Sequence, residues 1–266
     1  MNKIQVAICD ITSIENASLH SNYFSKLHPL VKVLITLWYL LLVISIPMNC
    51  FHLLLGMSLY PILTYQTNDL SIKETLYRLR VTLPLFLLLG ITQPFFDQTE
   101  VFVIGTLTIT NGMITMISIL VKGLLCLLAS SLLIQTTSME QICYALGLIH
   151  VPALIITMLL FIYRYLHVFL QEYEISTQAY SLRAPKQQGI HWKAWGPMIG
   201  LLLLRTIDRA TEVYQSMCLR GYHGGAIPMN TRRLKRYDWL SFLLMGTLLL
   251  IFRIFPIFEF IGQLFM

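Results

Sequence analysis

The chain has 266 residues and a formal net charge of +6; 56% of its residues are hydrophobic and only 12% charged, with a mean hydropathy of +0.68. Soluble domains carry about 25% charged residues, so the composition excludes an ordinary soluble domain and reads as an integral membrane protein. The basic excess is small, and in a membrane protein its distribution between loops carries the information rather than a nucleic-acid role.

The first 28 residues are polar and lack a continuous apolar run, so no cleavable signal is expected and the first span must direct insertion itself. Residues 1–30 read as a cytoplasmic arm. Lys26-Leu-His-Pro-Leu-Val-Lys32 leads into the first apolar run, about Val31 to Pro47, and its two lysines place that end in the cytoplasm. A second run, Phe51 to Tyr65, follows a very short turn and makes a helical hairpin with the first. Ser71 to Arg80 carries Lys73, Arg78 and Arg80 and returns to the cytoplasm. The third span is Val81 to Phe96, with Pro84 in its first turn, where a missing N–H costs little. Asp97 to Asn111 has acids but no Lys or Arg and should face outside; its β-branched Val101 to Thr110 predicts a small hairpin or surface strand. Gly112 to Ile134 is the fourth span and contains Lys122, which either packs against a carbonyl or acid inside the bundle or makes a transport or partner contact.

Residues 135–150 predict a helix capped by Ser138. Pro152 opens the run Ala153 to Leu170, which contains Arg164. Two short amphipathic segments follow, with Pro185, Gly189 and Pro197 in the loop between them. After Gly224-Gly225 and Pro228, the basic cluster Arg232 to Arg236 precedes the last span, Trp239 to Pro256. Residues 171–236 hold ten of the nineteen Lys and Arg and four acids, so this segment is expected in the cytoplasm. Ala153–Leu170 and Met198–Leu204 are then expected as partly embedded helices that do not cross. The expected fold class is an all-α integral membrane protein of about five transmembrane helices, six being the alternative count, with a cytoplasmic-side coupling module of amphipathic helices. Its domains are residues 1–30, the spans 31–134, the module 135–236 and the last span with the C-terminus, 237–266.

The two amphipathic segments end alike. Each closes on Leu-Arg followed by a small residue, as Leu182-Arg183-Ala184 and Leu219-Arg220-Gly221, 37 residues apart. Ile175, Ala179 and Leu182 share one helical face, as do Ile207, Ala210, Val213, Tyr214 and Met217. A last-turn Arg gains from the helix dipole, which is sufficient reason for either one alone. The recurrence points further, to a guanidinium that bridges to a partner's carboxylate or helix end.

With these residues in view, the chain resembles the transmembrane T component of energy-coupling factor transporters, bacterial ABC-type importers of vitamins and metal ions, in their cobalt-type, CbiQ-like branch. The resemblance runs through His28-Pro-Leu-Val-Lys32, Thr136-Thr-Ser138 with Ala145 to Pro152, Tyr163-Arg-Tyr-Leu166 with Glu172, Leu203-Leu-Arg-Thr, and Tyr214 to Gly224. It implies a pair of Ala-Arg-Gly-like triplets, each docking one of two ABC ATPase subunits. Here they correspond to Leu182-Arg183-Ala184 and Leu219-Arg220-Gly221; both lack the Ala and the first lacks the Gly. It implies a non-catalytic, multi-pass subunit of the bacterial inner membrane. A separate substrate-binding membrane subunit would capture the substrate, cobalt first, nickel next, a vitamin as the alternative. No phosphate loop, HExxH or GxSxG is present, so neither catalytic residues nor a cofactor is expected. His20 and His28 are too isolated to predict a metal site. A stand-alone secondary carrier is the competing reading from another class; it would need an ion pathway, and only Lys122 offers charge at depth in spans one to four.

Overall fold

The computed structural model describes residues 27–47, 51–68, 70, 75–77, 80–96, 100–104, 107–185, 189–223 and 235–254. The arm before residue 27, with His20, and Arg232 and Arg233 of the basic cluster lie outside the described residues. The described elements are α1 (Pro29–Ile44), α2 (Phe51–Thr67), α3 (Leu83–Ile91), α4 (Gln93–Phe96), β1 (Glu100–Ile104), β2 (Leu107–Thr110), α5 (Asn111–Thr136), α6 (Met139–Leu148), α7 (Ala153–Arg183), α8 (Trp192–Leu219) and α9 (Arg236–Ile254). The fold is therefore helical with one antiparallel ribbon, β1–β2, paired from Glu100↔Thr110 to Ile104↔Leu107. That ribbon is the hairpin expected from the β-branched run.

The chain divides into two compact units. One holds residues 15–142 and 231–266, the other residues 1–14 and 143–230. In the first, α5 packs against α1, α2, α3 and α4, and α9 packs on α1 and α2. Its core stacks Val31, Ile35, Tyr39 and Leu42 of α1 on Leu54, Met57 and Tyr60 of α2, Leu125 and Ala129 of α5, and Leu249 of α9. The α1 residues recur at helical spacing, so one stripe meets three neighbours at once. Gly123 lets α5 approach α3: a Cβ there would lie 2.5 Å from the Phe86 ring.

Local chemistry sets the helix ends. His28 caps α1, its Nδ1 accepting from the Leu30 N–H at 3.3 Å, with Pro29 in the first turn. Pro61 lies inside α2 and cannot donate to the Met57 carbonyl; the Tyr39 hydroxyl donates to that oxygen instead, at 3.0 Å. Ser138 Oγ accepts the Gln141 N–H at 3.4 Å, as expected for its cap. The third expected span is broken, because helix α3 stops at Ile91 and Pro94 sits in the first turn of α4. Of the cysteines in helical sequence, Cys143 is buried, Cys126 partly buried and Cys218 exposed, and none of the three is in a disulfide.

Two helices, α5 and α7, are long and apolar enough to cross a membrane by length and composition, with mean hydropathies of 2.3 and 1.9 over their most apolar windows. The second is a departure from the sequence reading. Ala153–Leu170 and the first Arg-ending segment are not separate pieces: they form one 31-residue helix, about 46 Å long at 1.5 Å per residue. Likewise α8 is continuous over 28 residues with Pro197 inside it, where a loop was expected. The reason is position. Pro197 falls in the second turn of α8, where it forfeits a single backbone bond, and no second breaker follows before Leu219.

Candidate functional site: two exposed arginine tips and a cleft

Helices α7 and α8 form an antiparallel hairpin in the second unit. At its corner the His191 N–H donates to the Tyr180 hydroxyl at 3.4 Å, and His191 Nδ1 caps α8 by accepting from Lys193 at 3.3 Å. Farther along, Arg205 pairs with Glu172 at 2.8 Å. Arg183 ends α7 beside the corner, whereas Arg220 follows the far end of α8. The two are therefore not brought together; they are separated by the 28-residue length of α8, about 42 Å.

Both tips are open. Leu182 is 82% and Leu219 90% exposed, and Arg183, Arg220 and Gly221 are exposed as well. Among the described residues neither guanidinium has a hydrogen-bond or ion-pair partner. The two ends are built differently. At the second, Tyr222 N–H bonds the Met217 carbonyl and Gly221 N–H the Cys218 carbonyl, each at 3.0 Å, with Gly221 at φ +86°. This is a left-handed Schellman stop, which favours glycine. At the first, Ala184 has φ −129° and donates to the Tyr180 carbonyl at 3.0 Å. Pro185 then blocks continuation, so that triplet has no conformational need for glycine.

A groove of about 650 Å³ runs between α7 and α8. Met158, Phe161, Ile162 and Phe169 face Val213 and Met217 across it, and Glu172, Arg205 and Arg209 stand along its edge. A hydrogen bond to Cys218 pushes the Tyr214 hydroxyl, on the same wall, above its usual range. The apolar faces expected on both amphipathic segments exist but are uncovered: Ile175, Ala179, Leu182, Ile207 and Tyr214 are all exposed.

Lys122 has a defined place in the other unit. Its ammonium donates to the Ile46 carbonyl beyond the end of α1. Arg253 of α9 reaches the same end, donating to Leu42 O at 3.2 Å and Ser45 Oγ at 2.9 Å. Lys32 does the same for α5, donating to the Thr136 carbonyl at 2.8 Å while itself only 1% exposed. Asp238 accepts from the N–H groups of His28 (3.2 Å) and Lys235 (2.9 Å), fastening the start of α1 to the start of α9. Sequence reasoning used Lys32 only as a topology signal. Its position one turn inside an apolar helix was the sign of burial. Asp238's bond to the Lys235 N–H is local, but its hold on His28 and the reach of Arg253 to α1 had no local sign, because those partners are more than 200 residues away.

His28 is occupied as a cap, and among the described residues no group of three or more His, Cys, Asp and Glu is arranged to hold a metal ion.

In comparison with known proteins, the chain is 27% identical over 198 residues to an uncharacterized protein of Methanocaldococcus jannaschii, covering 71% of this chain and 67% of that one. A family model described as cobalt transport protein matches residues 20–232 and takes in α1 through α8, both arginine tips included. With its apolar helices and that match, the chain belongs to the CbiQ cobalt transport protein family.

Proposed function

We propose that this chain is the non-catalytic transmembrane T subunit of an energy-coupling factor importer of the bacterial inner membrane. It transmits ATP hydrolysis by two ABC ATPase subunits to a separate substrate-binding membrane subunit, which carries a metal ion, cobalt first and nickel next. The observation that carries the reading is the matched pair of Leu-Arg tips, exposed at opposite ends of one helical hairpin. Two equivalent contacts about 42 Å apart suit two partner subunits better than one. Arg183 and Arg220 make the contact, Leu182 and Leu219 supply apolar area beside it, and Ala184 and Gly221 end the helices. Membership in a cobalt transport family supports the substrate class. A stand-alone carrier is disfavoured by Lys122, whose ammonium is used on a helix end.

The test is charge reversal. If the contact is desolvated, losing the Arg costs about 2–5 kcal/mol, or roughly thirtyfold and more in affinity. Arg183→Glu or Arg220→Glu alone should weaken ATPase co-purification or uncouple hydrolysis from metal uptake. The double variant should abolish both while the chain still inserts. Arg232→Glu and Arg233→Glu serve as controls. Full assembly and uptake in the double variant would overturn the coupling reading.

A further inference from the structure

A buried polar cluster surrounds the first turn of α1. His28, Lys32 and Asp238 are 0%, 1% and 6% exposed. Asp238 uses both carboxylate oxygens: one accepts the N–H of His28, the residue before α1, and the other the N–H of Lys235, the residue before α9. Lys32, one turn into α1, donates to the carbonyl of Thr136, the last residue of α5. Three helix ends, the starts of α1 and α9 and the finish of α5, are thereby tied to one turn.

These are the ends through which the chain joins the unit that bears the arginine tips. The chain leaves the first unit between Ile142 and Cys143, shortly after Thr136, and returns to it between Asn230 and Thr231, just before Lys235. Each tie ends on a backbone atom, so it holds the helix itself and not a side chain free to rotate. Apolar packing is non-directional and lets helices slide. A charge-assisted hydrogen bond is directional and roughly twice as strong as a neutral one. The cluster therefore fixes α5 and α9 along α1 as well as against it. Stability is a weak reason to bury such charges, because apolar side chains of similar volume often do as well.

We propose that Lys32 and Asp238 are positioning residues for coupling. They bind both joins to the start of α1, so that displacement of the arginine tips is delivered to α1, α5 and α9 together instead of being lost as these helix ends slip past one another. The proposal rests on the coupling reading and adds to it the place where the first unit receives the movement.

Complexes carrying Lys32→Met or Asp238→Asn are reconstituted with the ATPases and the membrane partner, and metal uptake and ATP hydrolysis are measured on the same proteoliposomes. Lys122→Met is the matched control. It removes a tie of the same kind at the opposite end of α1, away from both joins, where Arg253 remains. ATPase co-purification and hydrolysis should persist in all three variants. Uptake per ATP hydrolysed should fall about fivefold or more in Lys32→Met and in Asp238→Asn, the lower bound of a typical coupling between distant sites, while Lys122→Met keeps the wild-type ratio. Simple destabilisation lowers uptake and hydrolysis together, through fewer folded complexes, and leaves the ratio unchanged. Asp238→Asn is isosteric and decides the matter on its own if Lys32→Met does not fold. An unchanged ratio, an equal fall in Lys122→Met, or loss of the ATPases themselves would overturn the proposal. The coupling reading fails separately, through full assembly and uptake in the double variant of Arg183 and Arg220.

Discussion

A lysine at the twelfth position of a 26-residue apolar helix costs about 2.5–3.5 kcal/mol to insert, so it needs a partner. An acid would be the obvious one, but Lys122 finds a carbonyl at the end of α1. A helix C-terminus carries roughly half a negative charge, and its last carbonyls have no partner within the helix. Lys122 and Arg253 on α1, and Lys32 on α5, answer both needs at once. Interhelical hydrogen bonds of this kind contribute about 0.6–1.7 kcal/mol each. Lys122→Met should therefore lower the thermal stability of the purified chain by a few degrees, by about 1 kcal/mol, and leave metal uptake largely intact, with Arg253 still on the same end. Uptake assays on reconstituted complex check it. A large loss of uptake in a fully assembled complex would show that the ammonium serves transport. The sequence left both readings of Lys122 open, because its partner is 76 residues distant.

The first helix, α1, has 16 residues, about 24 Å, and falls short of a hydrocarbon layer about 30 Å thick. Its last carbonyls are met by Lys122 and Arg253 instead of by a further helical turn. The arginine tips turn on ends as well. Gly221 is held at φ +86° with open space around it, so a side chain there meets only backbone strain, about 1–2 kcal/mol. Gly221→Val should fray the last turn of α8 and reduce ATPase co-purification by up to about tenfold, with Arg220 itself intact. Ala184→Gly should bring no gain, because Ala184 is not left-handed. Equal effects at the two sites would show that the glycine contributes more than a helix stop. The pairing of triplets was legible in the sequence; the different construction of their ends was not, since an αL residue and a proline stop both read as small residues after an arginine.

For the whole molecule, orientation rests on charge. The tips and the loop between them lie within residues 171–236, where basic residues concentrate, whereas 97–111 has none. Topology follows that bias through short loops, so the hairpin tips are expected in the cytoplasm and the β1–β2 ribbon outside. Cysteines introduced singly at positions 98 and 187, with the native cysteines replaced, should react oppositely with an impermeant thiol reagent on intact cells: 98 labelled, 187 silent. The reverse pattern would invert the chain and put the arginine tips out of reach of any ATPase.

Composition and periodicity by themselves determined that this is a helical membrane protein, where its apolar runs fall, and that two amphipathic stretches end on the same Leu-Arg signal. Those are local properties, set by a few neighbouring residues and the 3.6-residue repeat. Whether α7 was one helix or two depended on no breaker intervening near Leu170, and whether Pro197 interrupted α8 depended on one forfeited backbone bond against a whole helix of others. The buried cations were decided only in three dimensions, because Lys32, Lys122 and Arg253 meet helix ends that lie 76 to 211 residues away in the chain. The groove is likewise a property of two helices together: its lining comes from both, Phe161 on α7 and Val213 on α8 among them, and neither helix encodes it alone.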